Sequence, residues 1–372
     1  MTEKTGYKRI ERESDKMILF ILILGMLLLK GAKIADSNEF CKDYMSIASN
    51  NVIKGVFVLL VLLGHAVTYV QMDGVLDQTY LAMKEHLHQM VVSVFFLYSG
   101  YGMMKSIQKK GYDYVKGIPA KRFLIVFLNF DIAVCLYLVV NAMLGTTFDL
   151  PTILYSLIGW KSVGNSNWYM FAIFGLYILM FLSFLLMRFW NKKAAIYVGT
   201  FVFSVLTMLF VWWEIHMGLP RWYYDTMILM PVGCIFALFQ KPIEKIIMKN
   251  DSIYAFAGVL LFVLYWLSYE RRWLGGIEYY TVWELFFVAA VVFITMKISF
   301  QSKVLSWFGE HVFSVYILQR IPMILLSRFG LAAQNRYGFI IGVLVCTVFL
   351  ALIFDAAVGK FDKQVLKLLR IK

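Results

Sequence analysis

The chain has 372 residues, of which 61% are hydrophobic and only 16% are charged, and its mean hydropathy is +0.71. Soluble domains are about half apolar and about a quarter charged, so this composition excludes a soluble globular protein. It predicts a polytopic membrane protein, with the 17% of aromatic residues partly at the membrane interfaces. In a membrane protein, the net charge of +13 indicates which loops lie on the cytoplasmic side. We therefore expect the protein to contact the lipid bilayer and not nucleic acid.

A short apolar run follows the basic N-terminus. Residues 17–29 resemble the opening of a signal peptide, but Lys33 lies where a cleavage site requires a small residue. We therefore interpret residues 17–35 as an uncleaved membrane segment. It either spans as an eleventh helix, the alternative we favour, or forms a re-entrant or interfacial segment.

Ten further apolar stretches are each long enough to cross about 30 Å of hydrocarbon as a helix. They are residues 52–70, 89–105, 123–143, 167–187, 194–213, 223–240, 253–269, 280–297, 311–328 and 337–358. The predicted fold class is an all-α, polytopic membrane helix bundle. Its domains are an N-terminal part (residues 1–50) with the extra apolar segment, a ten-helix membrane domain (residues 51–358) and a basic tail (residues 359–372).

The connections between these stretches alternate in charge. The basic set is Lys105 to Arg122, Arg188 to Lys193, Lys241 to Lys249, Lys297 with Lys303, and the tail from Lys360 onward. Basic loops remain cytoplasmic, so we expect both ends of the ten-helix core, and the C-terminus, on the cytoplasmic side. The roomiest outer connections are then residues 71–88 and 144–166.

The cysteine and histidine spacing predicts neither a metal site nor a disulfide framework. Cys135, Cys234 and Cys346 lie inside apolar runs, and Cys41 lies alone in a linker. We expect no metal cofactor.

His65 is the first candidate for chemistry, because an ionisable residue inside a membrane helix is costly. Lys54 lies eleven residues earlier, which is almost three whole helical turns. Both side chains therefore fall on one stripe, about 16 Å apart along the axis. Histidine is well suited to proton transfer near neutral pH, although an anchoring Lys54 and a hydrogen-bonding His65 fit the same pattern.

Other polar residues in the apolar stretches are candidates for the walls of a cavity. Asp131 and Arg320 share a depth, so a structural ion pair is expected. Glu284 lies near the outer end of the eighth core helix, where contact with a polar cavity and interfacial placement fit equally well. We expect His311 to be a solvated loop or helix-end residue and Asp355 to be an interfacial one.

Several motifs occur in the order typical of one family. They are Asn50 to Gly55 before Leu63-Gly64-His65, Val94 to Gly102, Lys121-Arg122, Asn165 to Tyr169, and Phe308 to Leu318. In this order they resemble the membrane acyltransferase-3 family, in which an arginine, ten residues and a histidine form the first motif. Here lysine replaces arginine, Asn51 stands where many relatives carry aspartate, and Gln319 stands where a histidine often follows.

The resemblance implies transfer of an acyl group, most often acetyl, from cytoplasmic acyl-CoA to a hydroxyl group of a cell-envelope glycan or glycolipid. His65 is then the general base, or alternatively a transient acyl carrier, and Lys54 assists. Acetyl-CoA would be the donor, held by Lys54, Lys121, Arg122, Ser99 and Tyr101, although the positive-inside rule alone also explains the basic loop.

On the acceptor side, Trp168 and its neighbours in the outer connection are candidates for stacking on a sugar, and interfacial anchoring explains them equally well. Under this hypothesis the protein resides in a bacterial plasma membrane. The alternative is a transporter or flippase without acyl chemistry, for which the intramembrane Asp131, Glu284 and Arg320 would also be suited.

Overall fold

The computed structural model describes residues 20–72 and 75–369, and this part is almost entirely helical. The helices are α1 (Phe20–Leu29), α2 (Ile47–Ala66), α3 (Val75–Leu87), α4 (Met90–Lys110), α5 (Tyr112–Val115), α6 (Ile125–Met143), α7 (Leu150–Leu157), α8 (Trp168–Phe184), α9 (Lys192–His216), α10 (Leu229–Ile247), α11 (Asp251–Arg271), α12 (Ile277–Lys297), α13 (Lys303–Glu310), α14 (Val312–Leu318), α15 (Arg320–Arg328), α16 (Leu331–Gln334) and α17 (Arg336–Leu368). Two short strands, β1 (Lys33–Ile34) and β2 (Ile298–Ser299), pair antiparallel.

Eight helical stretches of the described chain are long and apolar enough to cross a membrane. They are Ile47–Tyr69, Asp77–Lys110, Tyr112–Met143, Trp168–Arg188, Lys192–His216, Asp251–Arg271, Ile277–Lys297 and Arg336–Leu368. A helix satisfies its backbone groups internally, which is what hydrocarbon requires of a spanning segment. The predicted all-α, multi-pass membrane bundle is confirmed.

Two predicted spans differ from the structure. The sixth corresponds to α10, whose second half carries Lys241, Pro242 and Glu244 and is therefore less apolar. The ninth is divided at Gln319 into α14 and α15. Pro322 has no N–H to donate to the carbonyl group of Leu318, so the helical ladder is interrupted one turn before the proline.

The polar connections contain helices that the sequence analysis treats as loops. Residues 71–88 include α3, and residues 144–166 include α7. Of the predicted N-terminal segment, residues 17–19 and the preceding basic residues lie outside the described residues. The described helix α1 covers about 15 Å, half the hydrocarbon thickness, and whether residues 17–35 span the membrane as an eleventh helix stays a prediction.

The chain forms two compact units. The first unit consists of the described residues of Met1–Ile34, Asp43–Val91 and Ile298–Ala356. Its centre is the packing of α13 on α2, where two glycines allow backbone contact. A Cβ atom on Gly55 would lie 1.9 Å from the carbonyl oxygen of Leu305, and one on Gly309 would lie 1.8 Å from that of Asn51. Small residues of this kind permit close helix packing in membranes.

The second unit consists of the described residues of Ala35–Lys42, Val92–Lys297 and Ala357–Lys372. Here α4 packs on α10 through a second pair of glycines. A Cβ atom on Gly100 would lie 1.9 Å from the carbonyl oxygen of Met230, and one on Gly233 would lie 2.1 Å from that of Leu97. The Sγ atom of Cys234, which is buried, lies 3.4 Å from the Gly100 carbonyl oxygen.

Candidate active site

Helix α2 carries both residues of the predicted catalytic stripe. It begins at the N-cap Ser46, whose hydroxyl group accepts a hydrogen bond from the Ser49 N–H at 3.2 Å. From there the helix runs without interruption to Ala66, so Lys54 and His65 lie on one face as the spacing predicts. Both side chains are half-buried within the first unit. Their catalytic roles stay predictions.

The His65 ring lies among polar and cationic neighbours. Its Nδ1 atom is shielded from solvent and has no hydrogen-bond partner within the described chain. The side chain of Gln319 and the positive charges of Arg320 and Lys84 act on the ring. Gln319 is fully buried at the break between α14 and α15, and its Nε2 donates to the Tyr316 carbonyl at 3.0 Å.

Three segments distant in sequence therefore surround the histidine: α2, the end of α3, and the α14–α15 junction. The sequence analysis missed the partners Lys84 and Gln319. The intramembrane proline was the available signal for Gln319, because it predicts an interruption one turn earlier.

The Lys54 end of α2 lies beside α13. The negative charge of Glu310, the last residue of α13, acts on the Lys54 ammonium group. Ser306 donates to the Glu310 carboxylate at 3.1 Å. The Gly55 and Gly309 contacts hold the two backbones together at this point, so Glu310 is the nearby counter-charge that the sequence analysis missed.

A second polar group ties α13 and α14 to the last helix. The Asp355 carboxylate contacts both the Nδ1 atom of His311 and the hydroxyl group of Ser314. The His311 ring also packs on Trp307, with 4.4 Å between ring centroids. His311 lies at a helix end, as expected, but its ring also pairs with Asp355 across 44 residues of sequence. The interfacial placement of Asp355 stays a prediction.

In the second unit, Tyr101 is held by α10. Its hydroxyl group donates to Oε1 of Gln240 at 2.9 Å, and the Lys105 ammonium lies 5.4 Å from the Tyr101 ring centroid. Ser99 is half-buried one residue before Gly100. The structure therefore explains the Ser-Gly-Tyr motif first as a packing motif, and the predicted donor contacts of Ser99 and Tyr101 stay predictions.

Lys121 and Arg122 lie together on a wide π-helical turn, Pro119–Leu124, that leads into α6. Such turns are rare and often occur at functional sites. The Nε atom of Arg122 donates to the Tyr114 hydroxyl at 3.2 Å, and both basic side chains are exposed. Their predicted contact with the donor is compatible with this exposure.

The remaining predicted residues occupy separate places. Asp131 is half-buried on α6, and its Oδ1 atom is shielded from solvent without a hydrogen-bond partner in the described chain. It belongs to the second unit and Arg320 to the first, so their ion pair stays a prediction. Trp168 begins α8 and packs edge-on against Tyr169.

Glu284 is the most deeply buried of the predicted residues. It is 0% exposed on α12, and neither carboxylate oxygen has a hydrogen-bond partner in the described chain. The charges of Asp225 and Arg221 act on it. Its two predicted placements, contact with a polar cavity and a position at the membrane interface, stay predictions.

Among the residues that the structure describes, there is no group of three or more histidine, cysteine, aspartate or glutamate side chains that could hold a metal ion.

The comparisons with known proteins give one positive result. The family model described as an acyltransferase domain, of the acyltransferase-3 type, matches residues 47–356, most of the chain. Searches of curated proteins and of solved structures found no match. The matched range begins with α2 and ends in α17, so it includes the His65 surroundings and the α2–α13 packing. The chain is therefore an acyltransferase of the membrane acyltransferase-3 family.

Proposed function

We propose that this acyltransferase moves an acetyl group from cytoplasmic acetyl-CoA to a hydroxyl group of a cell-surface glycan or glycolipid in a bacterial plasma membrane. The observation that carries this proposal is the environment of His65: a shielded Nδ1 atom without a partner, beside Gln319 and two cations. A general base requires a nitrogen atom that can accept a proton from the substrate. Family membership also favours acyl chemistry over the transporter alternative.

In this mechanism the acceptor hydroxyl group loses its proton to His65 while its oxygen attacks the thioester carbonyl carbon. Negative charge develops on the carbonyl oxygen, and the positive charges of Arg320 and Lys84, which act on the His65 ring, would stabilise it. The carbon–sulfur bond then breaks, CoA leaves as its thiolate, and the proton returns from His65 to the sulfur. In the alternative, His65 accepts the acyl group itself before the acceptor takes it.

Lys54 lies on the same helical stripe, about 16 Å toward the basic, cytoplasmic end. We assign it to the polyanionic donor, as the resemblance implies. Its single ammonium group supplies charge without the bidentate geometry of an arginine. The negative charge of Glu310 acts on this ammonium group.

The basic residues of the π-helical turn would supply the electrostatic attraction that brings the donor to this side of the membrane. Lys121 and Arg122 are exposed, and Lys105 and the basic end of α4 carry the same sign of charge. Clustered positive charge raises the local concentration of a polyanion and its association rate.

The decisive experiment replaces His65. We expect His65→Ala to lower the rate of acetyl transfer from labelled acetyl-CoA by at least about a hundredfold, the usual contribution of a general base. The same variant should remove O-acetyl groups from the envelope glycans, measured by mass spectrometry beside a deletion strain. His216→Ala is the matched control, because His216 is exposed at the end of α9 and stacks only on Trp212 among the described rings.

Unchanged acetylation in His65→Ala at normal expression would refute the role of His65. A quench experiment with acetyl-CoA and no acceptor separates the two mechanisms. Acetyl label on His65 identifies an acyl carrier, and its absence at full donor occupancy identifies a general base. The glycan that loses its acetyl groups in the deletion strain identifies the acceptor.

A further inference from the structure

The connection between α2 and α3 is tied to the first turns of α17. His65 lies next to the last residue of α2, and the Thr68 hydroxyl group donates to the His65 carbonyl group at 2.7 Å. The Tyr69 ring then packs on Phe339 of α17, with 6.0 Å between the ring centroids. The chain that follows the proposed catalytic histidine is therefore held against α17 before α3 begins at Val75.

Arg336 is the residue at which this attachment converges. Its Nη1 atom donates to the Gln71 carbonyl group at 3.1 Å and to the Asp77 carboxylate at 2.8 Å. Asp77 is 0% exposed in the first turn of α3, and the Arg336 side chain is 12% exposed. The Asn335 side chain accepts from the Gly338 N–H at 2.9 Å, which is the arrangement of a helix N-cap and orders the turn that carries Arg336. One guanidinium group therefore joins α17 both to the connection and to α3.

One face of α3 points into the first unit. Asp77 and Tyr80 are buried on it, whereas Glu85 is exposed outside it. Lys84 lies seven residues after Asp77, so helical geometry places the two on one stripe, about 10 Å apart along the axis. Lys84 is half-buried, and its positive charge acts on the His65 ring. The stripe whose first residue is anchored at α17 therefore carries, two turns later, a cation that acts on the histidine.

The direction of α3 depends on this anchor. At its other end α3 is separated from α4 by His88, whose φ of +38° lies outside the range of a right-handed helix. Continuity with α4 therefore does not set the direction of α3. A buried ion pair is weak evidence for stability, because well-packed apolar residues often serve as well, but it can specify one arrangement of two helices. The pair of Arg336 with Asp77 suits that second purpose.

We propose that Arg336 and Asp77 are positioning residues for acyl transfer, because their ion pair holds α3 in the orientation that directs Lys84 toward His65. The inference rests on the proposed function, in which the Lys84 charge stabilises the negative charge that develops on the thioester carbonyl oxygen. A displacement of about 1 Å at a group of this kind lowers a rate by about a hundredfold. The pair touches neither substrate and acts through Lys84.

The test is a mutant cycle between the ion pair and Lys84. The paired variant Arg336→Ala/Asp77→Asn removes the anchor without leaving a buried charge, and Lys84→Met removes the ammonium group but keeps an apolar stem. Inverted membrane vesicles from a deletion strain carry each full-length variant, and incorporation of radiolabel from acetyl-CoA into the envelope glycans gives kcat and the KM for acetyl-CoA. We expect the paired variant and Lys84→Met each to lower kcat by about ten- to a hundredfold and to leave the KM within about twofold.

The triple variant separates positioning from a loss of stability. If the pair acts through Lys84, adding the paired variant to Lys84→Met should lower kcat by less than about twofold further. A smaller folded fraction would instead lower kcat by the same factor with and without Lys84→Met. Glu85→Gln is the matched control, because Glu85 is exposed on the same helix and next to Lys84 in sequence; it should match wild type.

A second readout follows α3 without activity. Hydrogen exchange of the full chain in lipid nanodiscs should be faster across the α3 amides in the paired variant than in wild type or Glu85→Gln, because the anchored end is released. Three results would each overturn the inference: unchanged exchange in the paired variant, unchanged kcat in the paired variant or in Lys84→Met, or equal losses of kcat with and without Lys84→Met. Failure of the proposed function would appear elsewhere, as unchanged acetylation in His65→Ala.

Discussion

The contact of Gly55 with α13 gives the most direct test of the structure. Adding a single methyl group in Gly55→Ala places a Cβ atom 1.9 Å from the carbonyl oxygen of Leu305, 2.7 Å from its carbonyl carbon and 3.0 Å from its Cα atom. These are backbone atoms, so no side-chain rotation relieves the overlap. Restoring an ordinary contact requires α13 to move by about 1.5 Å.

The cost follows from overpacking, which destabilises a protein by about 1–3 kcal/mol and occasionally more. Movement of α13 also changes the position of Glu310 relative to Lys54, so we expect altered acetyl-CoA binding together with lower thermal stability. The assay is a thermal unfolding scan of the purified protein in nanodiscs, followed by titration with acetyl-CoA. We expect an unfolding midpoint several degrees below that of wild type.

Gly64→Ala is the matched control on the same helix, because a Cβ atom at Gly64 meets no other atom within 4 Å. Alanine should be tolerated there, or stabilise the helix by about 0.5–1 kcal/mol. A double variant, Gly55→Ala with Leu305→Ala, should be no more stable than Gly55→Ala, since the overlap involves the Leu305 backbone. An unfolding midpoint of Gly55→Ala equal to that of wild type would refute the close α2–α13 packing.

Two further predictions use the same logic in other places. Gly100→Ala should destabilise the protein by about 1–3 kcal/mol, because its Cβ atom would lie 1.9 Å from the Met230 carbonyl oxygen. Gly102→Ala should not destabilise it, because a Cβ atom there meets no other atom within 4 Å. Equal unfolding midpoints of the two variants would contradict this packing. Arg336→Ala should lower the free energy of unfolding by about 3–5 kcal/mol. Arg336 pairs at 2.8 Å with Asp77, which is 0% exposed, so the variant removes this counter-charge from a buried carboxylate. Adding Asp77→Asn should recover part of that loss, and a thermal scan in which the double variant is the least stable would contradict the pairing.

The local part of the site was predictable from the sequence. An eleven-residue interval fixes Lys54 and His65 on one stripe of any regular helix, and α2 is regular from Ile47 to Ala66. The eight helical stretches long and apolar enough to span were predictable for a similar reason, because an apolar stretch of sufficient length has few other structures available in hydrocarbon.

The partners of those residues were not predictable, because periodicity carries no information about which helices meet. Lys84 lies in a connection whose charges hide the helix α3, and Gln319 lies more than 250 positions after His65. His311 and Asp355 each resemble ordinary helix-end residues until folding places them in contact. A polar side chain in a membrane bundle is explained by its tertiary partner, which only the structure supplies.

The glycines of the family motifs acquire a physical meaning from these contacts. Lipid tails are as apolar as leucine, so helices in a membrane associate through close packing rather than through the hydrophobic effect. Gly55 and Gly309 bring the backbones of α2 and α13 into contact at the level of Lys54 and Glu310. The motif that contains Lys54 therefore also contains Gly55, whose contact with α13 holds Glu310 near Lys54. A substitution at Gly55 or Gly309 should accordingly affect donor binding although neither residue has a side chain to bind with.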